Sequence, residues 1–268
     1  LTRQSLSVWL QPYGAWGQIG ASTDALGVKT NEQGIALGFE ANSGEGHRLG
    51  ASFGYNDLST QGTHYRASNI GYHALLYARA ETPSVNLAGG ASVSWWESQL
   101  ATQVDSRAPA VFLEAELPMQ QAAESLQWQP FVRVDQTWMR TDGFRDPTIG
   151  GGLTGAAASA HQGAGTLGLR IEGRADSRAE GAPRSVAVSA MAGWQRGWGD
   201  LSPETRMRFE TGEAFTIKGA PLPKNAMVLD LGTRVALGPH QSIHLSYGAT
   251  LNGESAMHSA QGAFHWRF

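Results

Sequence analysis

Val85, Leu87, Gly89, Ala91, Val93 and Trp95 alternate one for one with Asn86, Ala88, Gly90, Ser92 and Ser94, and this period of two limits the available folds more than any other feature of the chain. Successive side chains of an extended strand point to opposite faces, so the first set makes an apolar face and the second a face of small and polar groups. Val186, Val188, Ala190, Ala192 and Trp194 repeat the pattern against Ala187, Ser189, Met191 and Gly193. Met227, Leu229, Leu231, Thr233 and Val235 repeat it against Val228, Asp230, Gly232 and Arg234. A soluble sandwich alternates too, but it hides its apolar face and covers the other with many Lys and Glu. Here the second face is Gly, Ala and Ser with isolated Arg and Glu, as expected for the lining of a narrow, water-filled interior. The apolar face then looks out at lipid.

About twelve such segments are predicted, roughly 7–19, 31–43, 46–57, 63–80, 84–100, 109–117, 126–140, 164–174, 184–196, 226–237, 241–251 and 257–268. The expected fold class is all-β: a twelve-stranded antiparallel transmembrane β-barrel of a Gram-negative outer membrane, occupying residues 1–268 as one domain. An even count suits a bacterial single-chain barrel with both chain ends on the periplasmic side. Connections supply a separate test. The two longest, near 141–163 and 197–225, are odd-numbered and so face outward, while Asn42-Ser-Gly-Glu-Gly-His47, Glu81-Thr-Pro83 and Gly238-Pro-His240 are short and even-numbered. Long loops outside and short turns inside are the asymmetry such barrels have.

Composition fits and excludes. Charged residues are only 16% of the chain, below the usual quarter, yet the mean hydropathy of -0.28 is polar, so apolar residues are dispersed rather than gathered. No run approaches the 18 or so apolar residues of a membrane helix. The absence of cysteine removes disulfides and thiolate metal sites, the eight His show no His-x-x-x-His pair, and a net charge of -3 gives no polybasic surface for nucleic acid. No cofactor and no metal are expected. Leu1 to Val8 lack a charged segment followed by an apolar core, so no signal peptide is expected there, as in a mature chain or the C-terminal piece of a longer one.

The seventh segment checks the membrane thickness. Trp128, Pro130, Val132, Val134, Gln136 and Trp138 share its outward face. Ten residues at about 3.3 Å, tilted by about 40–45°, rise roughly 24 Å, close to the apolar band between two aromatic girdles. Trp128 and Trp138 are therefore girdle candidates, and Gln136 is the polar exception. Pro12, Pro109 and Pro130 lack the N–H that a ladder requires, and each is expected near a rim or a bulge.

The final segment ends Ala263-Phe264-His265-Trp266-Arg267-Phe268, with Phe264, Trp266 and Phe268 outward. This alternating aromatic ending resembles the signal read by the outer-membrane barrel-assembly machinery, which would engage the strand by edge augmentation. Further segments carry a wider resemblance: Val8-Trp9-Leu10-Gln11-Pro12, Gly34-Ile-Ala-Leu-Gly38, Arg48-Leu-Gly-Ala-Ser-Phe-Gly-Tyr55, Gln129-Pro130, Asp142-Gly-Phe144, Leu167-Gly-Leu-Arg170, Phe215-Thr-Ile-Lys-Gly-Ala-Pro-Leu222, Ser246-Tyr247 and Trp266-Arg-Phe268. In this order and spacing the chain resembles the C-terminal translocator β-domain of classical autotransporters over nearly its whole length. The resemblance implies a monomeric barrel in outer-membrane lipid that helps its own N-terminal passenger across the membrane, with an α-helical linker threading the pore. No helical segment precedes the first strand here, which leaves linker processing open.

With these faces, Glu40, Arg48, Arg79, Glu114, Glu116, Arg133, Asp135, Arg170, Glu172, Arg174, Asp230, Arg234 and Arg267 are expected to line the lumen. Their structural role is to pair across strands and hold the barrel's shape; their functional role is to hydrate the pore and contact the linker. Some members of the resembled family cleave the linker with acidic lumen residues, for which Glu114, Glu116, Asp135 and Glu172 are the candidates; the structural role is preferred. Two alternatives stand beside export: a pore or adhesin barrel without a passenger, and a barrel phospholipase. For the latter, His244 and Ser246 have the two-residue spacing of a catalytic pair but point into the lumen, away from bilayer lipid. The Gly/Ala-rich stretch from Gly150 to Gly163, with Thr154 and Ser159, is expected to be a mobile outer loop. The connection from Trp198 to Asn225 is expected either to extend the barrel as a hairpin or to cover the pore mouth.

Overall fold

The computed structural model describes residues 5–20, 27–44, 46–62, 66–99, 103–123, 125–148, 152–176, 185–219 and 221–268. The first four residues, 45, 63–65, 100, 149–151, 184 and 220, to which parts of the expectations above apply, lie outside them.

Strands run in the order β1 (Ser5–Ile19), β2 (Val28–Asn42), β3 (His47–Gln61), β4 (Arg66–Glu81), β5 (Asn86–Gln99) and β6 (Gln103–Glu116). A four-residue strand β7 (Gln120–Ala123) precedes β8 (Leu126–Thr141), and the short β9 (Phe144–Asp146) and β10 (Leu153–Gly155) precede β11 (Ala158–Asp176) and β12 (Ser185–Gly199). The hairpin β13 (Glu204–Phe209) and β14 (Ala214–Lys218) leads to β15 (Asn225–Ala236), β16 (Gln241–Leu251) and β17 (Ser255–Arg267). Twelve of these, all but β7, β9, β10, β13 and β14, pair antiparallel with their neighbours in sequence and close into a barrel. The ring shuts where β1 meets β17, with Val8 opposite Trp266 and Leu10 opposite Phe264. Closure leaves no edge in the wall, so backbone groups are paired where no water would pair them.

All twelve predicted segments coincide with barrel strands. Several strands are longer than their predicted cores: β2 begins at Val28, β6 at Gln103 and β11 at Ala158. Turn chemistry ends them. Gly44 and Gly46 adopt positive φ (81° and 80°) between β2 and β3, where Asn42 Oδ1 accepts the Gly44 N–H at 2.8 Å. Thr82 Oγ1 donates to the Val85 carbonyl at 2.6 Å between β4 and β5. These short turns and both described chain ends share one end of the barrel; the long connections share the other.

The stretch expected as a mobile outer loop is instead partly ordered strand. Thr154 lies in β10 and Ser159 in β11, which continues the barrel wall beside β8 with Ala158 opposite Thr141. Small residues permit this, because a Cβ on Gly155 would run into the Phe144 ring. The second long connection forms a hairpin, one of the two arrangements left open, and β14-β13-β10-β9 make a separate four-stranded sheet at the loop end.

One proline departs from expectation. Pro12 sits in the middle of β1 rather than at a rim, Pro109 lies inside β6 level with Trp138, and no bulge accompanies either. The β1–β17 register stops at Leu10 opposite Phe264 and resumes unshifted at Tyr13 opposite Gln261; the β6–β8 register likewise skips from Arg107 opposite Arg140 to Ala110 opposite Thr137. Each proline keeps a partner on its other side, Ile35 or Val93, so one ladder bears the missing N–H and the strand runs straight on. Pro130 lies where the β6–β8 ladder ends, and its carbonyl accepts the Leu117 N–H at 3.0 Å.

The outward face carries the large apolar side chains: Leu76, Leu113, Leu167 and Leu231 are all at least 59% exposed. Gln136, the polar exception, faces Gly163, whose bare backbone leaves room for the Trp198 indole to reach over and donate to Gln136 Oε1 at 3.3 Å. The amide oxygen is thereby satisfied on the lipid side.

Candidate functional site

On a curved wall, side chains two strands apart meet only on the concave side, and those meetings identify the interior. Arg170 on β11 reaches over β8 to Glu114 on β6, with Nη2–Oε2 at 3.0 Å and Nη1–Oε1 at 3.1 Å, and also pairs with Glu116. Arg79 on β4 reaches over β5 to Glu116 at 2.6 Å. From there the pairing continues through Arg79 to Glu81 at 3.2 Å and Glu81 to Arg48 at 3.3 Å. In the other direction Arg133 lies 3.8 Å from Glu114 and 2.7 Å from Asp135. Arg48, Arg79, Arg133, Arg170, Glu81, Glu114, Glu116 and Asp135 therefore form one chain of alternating sign along the inner wall. Glu114 and Glu116 are 6% and 3% exposed, so they depend on these guanidinium groups for compensation.

Two aromatic rings position the arginines. The Arg170 guanidinium lies 4.1 Å over the Phe131 ring and that of Arg133 lies 4.5 Å over Phe112. Each ring lies flat across a glycine of the next strand: a Cβ on Gly168 would stand 2.6 Å from Phe131, and one on Gly90 would stand 2.6 Å from Phe112. The small residues read as lumen lining thus serve as slots for aromatic rings.

A second chain runs nearer the loop end. Asn56 Nδ2 donates to Glu32 Oε1 at 2.6 Å, its Oδ1 meets His73 Nε2 at 2.7 Å, and His73 Nδ1 meets Ser94 Oγ at 2.8 Å. It crosses β2, β3, β4 and β5, and Asn56 is 1% exposed. Sequence reasoning placed Ser94 on the inner face without giving it a role, and missed Glu32, Asn56, His73 and Glu81. The available signal was parity: Glu32 shares a face with Glu40, and Asn56 with Arg48.

The remaining expected lumen residues are dispersed. Glu40 accepts the Tyr77 hydroxyl at 3.2 Å, and Glu172 pairs with Arg174 at 3.0 Å near the strand ends. Asp230, Arg234 and Arg267 share the inner face by register, and among the described residues none of them makes an ion pair within 4.0 Å. His244 and Ser246 also face inward on β16, where Ser246 Oγ accepts Gln261 Nε2 at 2.8 Å. No group of three His, Cys, Asp or Glu side chains among the described residues is placed to hold a metal ion. On the outer face, Trp128 and Trp138 stand toward opposite ends of β8. Phe264, Trp266 and Phe268 line the closing strand, with the last two rings stacked at 5.8 Å.

The autotransporter β-domain family model matches residues 8–248. The chain belongs to the autotransporter β-domain family. An "Extracellular serine protease" of Serratia marcescens is 25% identical over 275 residues, covering 97% of this chain, and the chain spans about a quarter (26%) of that protein's length. Among solved structures, the translocator domain of the Neisseria meningitidis autotransporter NalP aligns with a TM-score of 0.71 at 14% identity, covering 98% of this chain and 88% of that one. The β-domain of the Bordetella autotransporter Brka aligns with 0.70 at 17% identity, covering 98% and 100%. As an autotransporter β-domain the chain is an outer-membrane translocator barrel, and a passenger-free pore or a barrel phospholipase is not favoured. The end carrying the short turns is periplasmic and the loop end faces the cell exterior.

Proposed function

We propose that this β-domain carries a passenger, joined through a linker on its N-terminal side, across the outer membrane to the cell surface. The observation that carries the reading is the family match over residues 8–248, joined to relatives of which the chain makes up only a quarter. The charged inner wall serves the transit. Glu40, Arg48, Arg79, Glu114, Glu116, Arg133, Asp135, Arg170, Glu172, Arg174, Asp230, Arg234 and Arg267 hydrate the lumen and offer polar contacts to the linker. The paired members, from Arg48 to Asp135, hold the cross-section while chain passes. The mutual pairing of Glu114 and Glu116 with arginines supports a shaping role for them over a chemical one.

Phe264, Trp266 and Phe268 form the surface that the barrel-assembly machinery reads, Trp128 and Trp138 seat the barrel at the two lipid interfaces, and residues 1–268 act as a single monomeric translocator domain. The experiment is surface display: the natural chain upstream of this domain is expressed with it, and external protease is added to whole cells. Release of the passenger supports export. A barrel that is inserted in the outer membrane while its passenger stays protected in the periplasm overturns it.

A further inference from the structure

Arg107 and Arg140 stand directly opposite each other on β6 and β8, and both are exposed on the outward, lipid-side face near the loop end. Like charges directly opposite are unfavourable, and a lipid-facing guanidinium is tolerated only close to the interface, where headgroups can meet it. Among the described residues no carboxylate lies within 4.0 Å of either group. Asp105 and Asp142 stand two residues farther out, about 6.6 Å along the strand, where Asp105 accepts from Gln103 Nε2 at 3.3 Å. The neighbouring Asp200 is taken by His161, at 2.8 Å from its ring and 2.9 Å from its backbone N–H.

The two arginines border a cleft of about 590 Å³ whose lining also includes Ser159, Trp138, Pro109 and the paired His161 and Asp200. Ser159 is opposite Arg140, so Arg107, Arg140 and Ser159 form a row of donors across three strands. Trp138 and Pro109 lie two residues nearer the membrane, about 6.6 Å along the strand. A tryptophan at this height marks the boundary between hydrocarbon and headgroups, and the donor row stands just outside it.

The outer leaflet of this membrane is built of phosphorylated glycolipid. We propose that the cleft holds one such lipid, its phosphate clasped between Arg107 and Arg140 with Ser159 as a further donor, and an acyl chain lying against Trp138, Pro109 and Val111 below. Guanidinium matches phosphate by paired, charge-assisted hydrogen bonds, and the ligand's two negative charges neutralise the opposed cations that the fold leaves uncompensated. The inference rests on the outer-membrane assignment and its orientation and is independent of passenger export.

The test uses the folded barrel in detergent with a chelator present, and native mass spectrometry to read binding of three probes: bis-phosphorylated lipid A, the same lipid without phosphate, and inorganic phosphate. The expected result is a preference of about tenfold or more for the phosphorylated lipid, lost in the Arg107→Gln/Arg140→Gln double variant and kept in Arg196→Gln, an exposed outward arginine outside the cleft. Equal binding of both lipids, a preference that survives the double variant or is equally lost in Arg196→Gln, displacement by inorganic phosphate at the lipid's concentration, or binding that requires divalent cations overturns it. Heat-modifiable migration reports folding of the variants. Should the double variant fail to fold, Arg107→Lys and Arg140→Lys carry the test, a weakened phosphate preference supporting the site and an unchanged one refuting it. Passenger display scored on the same variants separates this inference from the export reading, since export is expected to persist where lipid selectivity is gone.

Discussion

Glu114 and Arg170 meet through two hydrogen bonds, 3.1 and 3.0 Å, although the whole of strand β8 lies between their own strands. A ladder bonds only nearest neighbours, so this pair ties the wall together at the next order and resists flattening of its curve. Arg79 and Glu116 do the same across β5.

Arg170→Leu leaves Glu114 and Glu116, both deeply buried, without their shared cation. The expected loss is about 2–4 kcal/mol in urea unfolding of the detergent-solubilised barrel followed by tryptophan fluorescence. Arg174→Leu removes a partner that is largely exposed and paired near the strand ends, and is expected to change stability by no more than about 0.5 kcal/mol. Equal effects for the two would refute the shaping role.

Asn56→Asp sets a second carboxylate against Glu32, where the amide now donates at 2.6 Å. The variant is expected to melt earlier, at a cost of about 1–3 kcal/mol, and Glu32→Gln added to it is expected to recover most of the loss. A double-mutant cycle on thermal unfolding measures the coupling; additive effects would show that the two groups do not interact.

Gln136→Leu strands the Trp198 indole N–H on the lipid side and is expected to cost about 1 kcal/mol, whereas Gln136→Leu combined with Trp198→Phe removes donor and acceptor together and is expected to be neutral or stabilising. Equilibrium unfolding in lipid vesicles distinguishes the cases, the non-additivity being the result to look for.

The β13–β14 hairpin lies outside the barrel's ladder. Its ends are already joined, since the Gly219 N–H donates to the Pro203 carbonyl at 2.7 Å. Replacing residues 204–218 with a short Gly-Ser link is therefore expected to leave heat-modifiable migration intact and to shift unfolding by less than about 1 kcal/mol. A barrel that no longer folds would mean that the outer sheet contributes to the wall.

Much of the barrel was legible in residues such as Leu229, Leu231 and Val235, because a wall with lipid on one side and water on the other imposes the same alternation on every strand. Faces follow from parity alone, and so did the inward placement of Glu114 or Arg170. What parity cannot supply is the offset between strands. Arg170 reaches Glu114 only because Val134 is opposite both Leu113 and Gly165, and no local pattern sets those pairings. The Glu32–Asn56–His73–Ser94 chain was hidden for the same reason, with one contributor on each of four strands. Pro12 misled because a proline in isolation signals a strand end, whereas a closed wall with partners on both sides absorbs the loss on one. The strand in the Gly/Ala-rich outer stretch was missed because small residues have weak strand preference by themselves and gain order from the neighbour that lies over them, as Phe144 does over Gly155.

The interruption at Pro12 falls on the joint between β1 and β17, the place where the two extremities of the chain zip together. Two joints of the wall skip a pairing at a proline, at Pro12 and at Pro109, and this one alone of the two joins the first strand to the last. Where the closing joint misses that pairing, opposite Gly262, its hold rests on the pairings to either side, Leu10 with Phe264 and Tyr13 with Gln261.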